Sequence, residues 1–110
     1  MAVLTVQNIT IDGLEVSYSS AASGGDTAAN NGRMFLEIVN AGASARTVTV
    51  ASQKACNQGY THDESVSVPA SETRKMGPFL TNRFNNSDSA IEISYDAVTS
   101  LTVAAISLGE

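Results

Sequence analysis

Residues 90–96 read Ala-Ile-Glu-Ile-Ser-Tyr-Asp, and apolar and polar residues alternate through this stretch. In an extended chain, Ile91, Ile93 and Tyr95 lie on one face, and the residues between them lie on the other. A period of two is typical of a β-strand that buries one face in a core. The stretch therefore predicts a half-buried strand and favours an all-β protein.

The same alternation recurs along the rest of the chain. It predicts further strands at residues 3–9, 14–18, 33–39, 47–50, 65–68 and 101–108. Two of these, 33–39 and 101–108, are apolar on both faces, which predicts strands in the middle of sheets. Turn residues such as Asp12-Gly13 separate the strands at short intervals. Seven to eight short strands of this spacing predict one small antiparallel β-sandwich, and both an immunoglobulin-like and a jelly-roll topology fit the pattern.

Composition limits the organisation and the partners of the chain. Its 110 residues, 43% of them hydrophobic, predict a single domain over residues 1–110. The net charge is −5 and the six basic residues are scattered, which excludes nucleic acid as the expected partner. The apolar runs are far shorter than the roughly 20 residues of a membrane helix, so no membrane partner is expected. A single cysteine, Cys56, and the lack of a secretory signal favour assembly in a cytoplasm.

One long segment breaks the strand pattern. Residues 19–32 contain no apolar side chain larger than alanine and are rich in Ala, Gly and Ser. Such a segment contributes little to a core, so we expect a flexible surface loop. The alternative is an arm that becomes ordered against a partner subunit.

The residues that carry chemistry are few. The one histidine, His62, is followed by Asp63 and Glu64, which would point to opposite faces of a strand and could not act as a pair. A catalytic zinc site usually needs three protein ligands, and His62 and Cys56 do not supply them. The sequence therefore predicts no catalytic residues, no cofactor and no metal, and a protein that is not an enzyme.

Two regions are candidates for contact with another protein. The stretch 77–86 holds Phe79, Arg83 and Phe84, and aromatic and arginine side chains are frequent interface anchors. Either both rings close the end of the sandwich, or Arg83 and Phe84 belong to a contact surface.

The second candidate is the N-terminal strand, because no charged residue precedes Asp12. An apolar terminus of this kind is expected to be covered by a partner. The predicted capsid or subunit interface therefore comprises Ala2, Val3, Leu4, Val6, Arg83 and Phe84.

Six stretches of the sequence follow one another along the chain. They are GRMFLEIVNAG (32–42), TVTVASQ (47–53), VSVPASE (66–72), GPF (77–79), RFN (83–85) and VTSLTVAAI (98–106). In this succession, over roughly residues 30–108, the chain resembles small structural proteins of tailed bacteriophages.

The resemblance implies a virion protein, most simply a capsid decoration (cement) protein on the outer surface of the head. It implies that the partner is the major capsid protein, that the chain forms a homotrimer on the particle, and that assembly takes place in the host cytoplasm. A neck or tail component with the same fold is the alternative. A carbohydrate-binding sandwich is a weaker one, because those sites usually present stacking aromatic rings and this chain has no tryptophan.

Overall fold

Strands make up most of the regular structure of this chain. A computed structural model describes residues 2–54, 58–59 and 62–108, and within them it contains ten strands and one short helix. These elements are β1 (Ala2–Leu4), β2 (Val6–Asn8), β3 (Ser19–Ser20), β4 (Asp26–Ala29), β5 (Met34–Asn40), β6 (Arg46–Val50), β7 (Glu64–Val68), β8 (Thr73–Met76), α1 (Thr81–Phe84), β9 (Ala90–Tyr95) and β10 (Leu101–Ser107).

The strands form two sheets whose inner faces share one core. The first sheet has the order β1-β4-β9-β6-β7, the second has the order β2-β10-β5-β8, and β3 also pairs with β10. The predicted all-β sandwich is confirmed, although ten strands are present in the described residues rather than seven to eight. The sheets are mixed rather than purely antiparallel, because β1 runs parallel to β4 and β2 runs parallel to β10. More than a dozen residues separate the members of each parallel pair, which is enough chain for the crossover that parallel pairing needs.

The stretch that decided the fold in the sequence is a central strand. Strand β9 lies between β4 and β6, with Ile91 and Ile93 fully buried and Tyr95 packed against the core. The predicted strands around Val48 and Val66 are also present, as β6 and β7, and they pair with each other. The period-two reading of these segments is confirmed.

The two segments predicted to run through the middle of a sheet do so. Strand β5 lies between β10 and β8, and β10 lies between β5 and the short strands β2 and β3. In β10, Val103 and Ala105 belong to the core, yet Ala104 and Ile106, which face the other way, are also buried. Chain must therefore cover the outer face of the second sheet.

Residues 9–18 supply that cover. Gln7 is level with Ile106 in the pairing of β2 with β10, so both side chains point outward. The Gln7 side chain donates to the Ser17 carbonyl (2.7 Å) and accepts from the Ser17 N–H (2.9 Å). The Tyr18 hydroxyl donates to Glu37 on the same outer face (2.7 Å). The strand predicted at 14–18 is therefore wrong, because this segment lies over a sheet instead of pairing within one.

The N-terminal segment also differs from its prediction. Instead of one strand over 3–9, the chain forms β1 and β2, which are interrupted at Thr5 and belong to different sheets. Leu4 is buried in the shared core, whereas Val3 is 79% exposed. Residues 2–8 therefore tie the edges of both sheets together.

The expected loop over 19–32 is replaced by two strands, β3 and β4. Strand β4 is inserted between β1 and β9, and Ala28, level with Ile91, is fully buried in the core. Ala21 joins the same core. Small side chains suffice here, because the large residues of β9 fill the space beside them. The prediction that this segment contributes little to the core rested on the small size of its side chains, and it is wrong because Ala21 and Ala28 are buried.

Residues 77–89 close one end of the sandwich, which we call the α1 end. The rings of Phe79 and Phe84 are both buried and pack edge to face, with centroids 5.5 Å apart. Helix α1 has four residues, and no helix in the described parts of the chain has the length and apolar character to span a membrane.

Candidate interaction surface

The structure separates the predicted N-terminal contact residues by exposure. Ala2 and Val3 lie at the surface on β1, and Val6 is half-buried on β2 against the core. Leu4 is only 6% exposed and packs inside the sandwich. Leu4 therefore stabilises the fold and is not available for contact with a partner.

Arg83 and Phe84 are likewise engaged within the chain. Phe84 is buried, so the interpretation in which the rings close the end of the sandwich agrees with its position. The Arg83 guanidinium lies 4.6 Å from the centroid of the Phe84 ring and donates to the His62 carbonyl (2.6 Å). The Arg83 carbonyl accepts from the Gln53 N–H (2.7 Å). Arg83 thus holds the segment after β6 against the α1 end, and it is itself half-buried.

The region around the histidine is built from structural contacts. His62 is exposed, and the Asp63 carboxylate accepts from the Ser52 N–H (2.9 Å). Cys56, Tyr60 and Thr61 lie outside the described residues. Within 2–54, 58–59 and 62–108, no group of three or more His, Cys, Asp or Glu side chains is arranged to hold a metal ion. The carboxylate at 63 fixes the backbone of the loop after β6.

One buried carboxyl group lies between the sheets. Asp26, on β4, is 1% exposed and accepts from the Tyr95 hydroxyl (2.7 Å) and the Ala22 N–H (3.2 Å). Burial, together with the hydrogen bond to Asp26, raises the pKa of Tyr95 far above its ordinary value. The tyrosine therefore stays protonated and acts as a permanent donor, as expected for a structural contact.

A second polar cluster lies on the outer face of the second sheet. Glu37 accepts from the Tyr18 hydroxyl and pairs with Lys75 (3.0 Å). The hydrogen bond from Tyr18 and the charge of Lys75 lower the pKa of Glu37, and the same bond raises the pKa of Tyr18. These contacts hold residues 9–18 against β5 and β8. The polar groups of this cluster are bound within the chain, so the exposed apolar side chains nearby are the remaining feature of this face.

Exposed apolar side chains concentrate at the α1 end. Four of the six large apolar side chains exposed in the described residues, Ile9, Ile11, Leu80 and Leu108, lie there, and we call them the apolar rim. The Ile9 N–H donates to the Ser107 carbonyl and the Leu108 N–H donates to the Arg33 carbonyl, which places both residues near the start of β5. Leu80 directly precedes α1. An end of a fold that exposes several large apolar side chains is a candidate interaction surface.

Two depressions lie next to the rim, on either side of Gly77-Pro78. The larger, which we call the β7/β8 groove, has a volume of about 360 Å³ and runs between Val66 and Met76, with Leu80 at its mouth. The smaller, which we call the Leu108 pocket, has a volume of about 180 Å³ and an apolar lining that includes Phe35 and Leu108. The β7/β8 groove opens where outer strands of the two sheets separate, whereas the Leu108 pocket lies at the edge of the second sheet alone.

Positive charge surrounds these depressions, although the chain as a whole is acidic. Arg33, Lys75 and Arg83, three of the six basic residues, line them, and Glu64 is the single acidic residue among the lining residues. Lys75 is already paired with Glu37, and Arg83 is held by His62 and Phe84. In the part of the chain that the structure describes, the Arg33 side chain has no hydrogen bond or ion pair and is free to meet an acidic partner.

Sequence reasoning did not single out the apolar rim. Ile9 and Leu108 stood at the ends of predicted strands, and Ile11 stood beside a turn, where an apolar residue gives no sign of its exposure. The one usable signal of exposure was Ile11, a branched apolar residue directly before Asp12-Gly13, because that position of a turn is usually polar.

Comparison with known proteins gives no identification. No family model, no curated protein and no solved structure matches this chain. The class that the fold defines is an all-β sandwich.

Proposed function

We propose that this chain is a non-enzymatic structural protein that binds other proteins through its surface, and that its setting is the head of a tailed bacteriophage. In that setting it is a decoration protein on the outer surface of the capsid, and the major capsid protein is its partner. It is localised to the virion and assembles there in the host cytoplasm. The virion setting is supported by the sequence resemblance over roughly residues 30–108.

The observation that carries the binding role is the apolar rim beside the β7/β8 groove. Leu80 is 65% exposed at the mouth of this groove, whose floor includes Val66 and Met76. Burying an exposed leucine removes apolar surface from water and contributes about 1.5–3 kcal/mol. A contact of that size is modest for one copy, but a particle repeats it at every site and gains mechanical strength from the sum.

The polar groups of the described residues support the same role. Asp26, Glu37 and Asp63 all accept hydrogen bonds that fix the fold. Their arrangement favours a rigid scaffold that presents a surface.

The test is binding to capsids of the major capsid protein encoded in the same genome. The purified chain is mixed with assembled capsids, the particles are sedimented, and the bound copies are counted by quantitative mass spectrometry. We expect many copies per particle, and we expect Leu80→Ser to lower the occupancy. Val3→Ser is the matched control, since Val3 is also an exposed apolar residue (79%, against 65% for Leu80) but lies on β1 of the first sheet.

The outcomes separate the possible contacts. If the wild-type chain does not sediment with the capsids, the decoration role is wrong. If occupancy falls with Val3→Ser and not with Leu80→Ser, the N-terminal strand is the capsid contact and the groove is not.

A further inference from the structure

The loop formed by residues 9–17 carries an unusually exposed isoleucine. Ile11 is 102% exposed, at the tip of a turn in which the Gly13 N–H donates to the Thr10 carbonyl (3.0 Å) and the Thr10 hydroxyl donates to the Gly13 carbonyl (3.1 Å). Gly13 has a φ of +95°, which glycine adopts without strain. The two hydrogen bonds between Gln7 and Ser17 close the base of the loop. We call this feature the Ile11 loop; it holds an apolar side chain in water on an ordered support.

The Leu108 pocket is complementary to such a side chain in size and chemistry. Its lining is almost wholly apolar, and its volume of about 180 Å³ has room for an aliphatic side chain. Gly77 lets the loop after β8 lie against β5, since a Cβ at this position would come within 3.0 Å of the Met34 carbonyl oxygen and of Phe35. The pocket is therefore a built part of the fold.

The charges beside the two features are also complementary. Asp12 is next to Ile11 at the tip, and Glu15 follows on the same loop. Arg33 lies at the edge of the pocket. Within the described residues, the side chains of Asp12, Glu15 and Arg33 make no ion pair or hydrogen bond. An acidic loop and a basic pocket edge, both unpaired in one copy, fit each other in two copies.

The order of strands places the loop and the pocket side by side. The second sheet has the order β2-β10-β5-β8. Ile9 extends β2 and Leu108 extends β10, and the pocket lies where β5 begins and β8 ends. Neighbouring strands are about 4.8 Å apart, so the loop and the pocket flank Leu108 on one surface. A two-fold axis near Leu108 brings each Ile11 loop to the pocket of the other copy, and both contacts form at once.

We propose that a second copy of this chain occupies the Leu108 pocket, with Ile11 of each copy inserted into the pocket of the other and Asp12 facing Arg33. The interface is self-complementary and forms a two-fold dimer of the free protein. This association goes beyond capsid binding, because it uses the Leu108 pocket and leaves Leu80 and the β7/β8 groove open.

The first test is sedimentation velocity of the purified chain over a range of concentrations. We expect a reversible equilibrium between monomer and dimer. Ile11→Ser is expected to raise the dissociation constant of the dimer by about tenfold or more, because two isoleucine side chains lose their burial. Val3→Ser, which changes another exposed β-branched apolar side chain on the first sheet, is expected to leave the equilibrium unchanged.

The second test reverses the charge at Asp12 or at Arg33. It is specific for an interface in which Asp12 of each copy faces Arg33 of the other. Asp12→Lys alone and Arg33→Glu alone each place like charges together at both contacts, so each variant is expected to remain monomeric. An equimolar mixture of the two variants restores an opposite pair at both contacts and is expected to dimerise. Circular dichroism and thermal unfolding confirm that each variant is folded.

A wild-type chain that stays monomeric at all concentrations would overturn the proposal. A trimer would overturn the two-fold pairing and support the threefold arrangement implied by the sequence resemblance. A dimer that Ile11→Ser and the charge variants leave intact would place the interface elsewhere. None of these results alters the capsid test, which depends on Leu80.

Discussion

Short polar side chains complete the fold at the ends of its strands. Asn40 is 1% exposed at the end of β5, and its amide donates to the carbonyls of Ser44, Val68 and Pro69 at 2.8–3.3 Å. Since Val68 belongs to the other sheet, this one side chain links the two sheets. Buried carbonyl groups without a donor are costly, and an asparagine amide satisfies them where no strand can.

A similar arrangement holds the α1 end. The Asn30 amide donates to the Phe79 carbonyl (3.1 Å) and to the side chain of Asn85 (2.7 Å), and the Asn85 amide donates back to the Asn30 carbonyl (3.1 Å). This pair attaches the end of β4 to the segment that follows α1. A closed set of hydrogen bonds therefore holds the α1 end in place.

The contact between Tyr95 and Asp26 gives a prediction at the residue scale. Tyr95→Phe removes the hydroxyl donor from a buried carboxyl group, which is expected to cost about 1–3 kcal/mol of unfolding free energy. Tyr18→Phe removes a hydrogen bond of the same length to Glu37 at the surface, and a smaller loss is expected because water replaces the donor. Urea unfolding of both variants measures the difference. Equal losses would contradict a special role for the buried pair.

At the scale of elements, strand β4 is the element whose secondary structure was predicted wrongly from the sequence, since a loop was predicted there. Its four residues, Asp-Thr-Ala-Ala, have neither the β-branched content nor the alternation of large apolar residues that identified β9. It forms because the partner strands β1 and β9 supply its hydrogen bonds on both sides. Tertiary pairing overrides a weak local preference in such a case.

Substitution within β4 tests this placement. Ala28→Leu adds three carbons where the side chain is fully buried, level with Ile91, and overpacking is expected to cost about 1–3 kcal/mol. Ala29→Leu makes the same change at the next residue, which is exposed, and is expected to change stability by less than about 0.5 kcal/mol. Thermal unfolding distinguishes the two, and a neutral Ala28→Leu would support the loop that the sequence predicted.

At the scale of the whole molecule, the N-terminal segment joins the two sheets at their edges. Strand β1 borders the first sheet, β2 pairs at the side of the second, and Leu4, just before the break between them, packs inside. Loss of this segment therefore affects both sheets together.

The prediction at this scale concerns cooperative unfolding. Leu4→Ala is expected to destabilise the protein by about 2–5 kcal/mol, because it leaves a cavity between the sheets. Val3→Ala, at the adjacent exposed position, is expected to have an effect within about 0.5 kcal/mol. Both variants are compared by urea unfolding followed by circular dichroism and by tyrosine fluorescence. If Leu4→Ala were as stable as Val3→Ala, the residue would not be part of the core.

The α1 end and the N-terminal strand also differ in what they offer a partner. The α1 end carries the apolar rim, both depressions and the unpaired Arg33, whereas the N-terminal strand offers only Ala2 and Val3 at the surface. Of the contact residues that the sequence predicted, Leu4 and Phe84 are buried in the core. Burial depends on what packs around a side chain, so an apolar residue in the sequence can signal a core position and a contact surface equally well.

What the sequence determined by itself was the class of fold and its central strands. The alternation at Ile91 and Ile93 and the apolar run of β5 reflect local geometry, because successive side chains of an extended chain point to opposite faces whatever surrounds them. Tertiary structure alone decided the parallel pairing of β1 and β2, the burial of Ala28 and the neighbouring positions of the Ile11 loop and the Leu108 pocket. These features depend on contacts between residues far apart in the chain, and no local pattern of residues records which distant segments will meet.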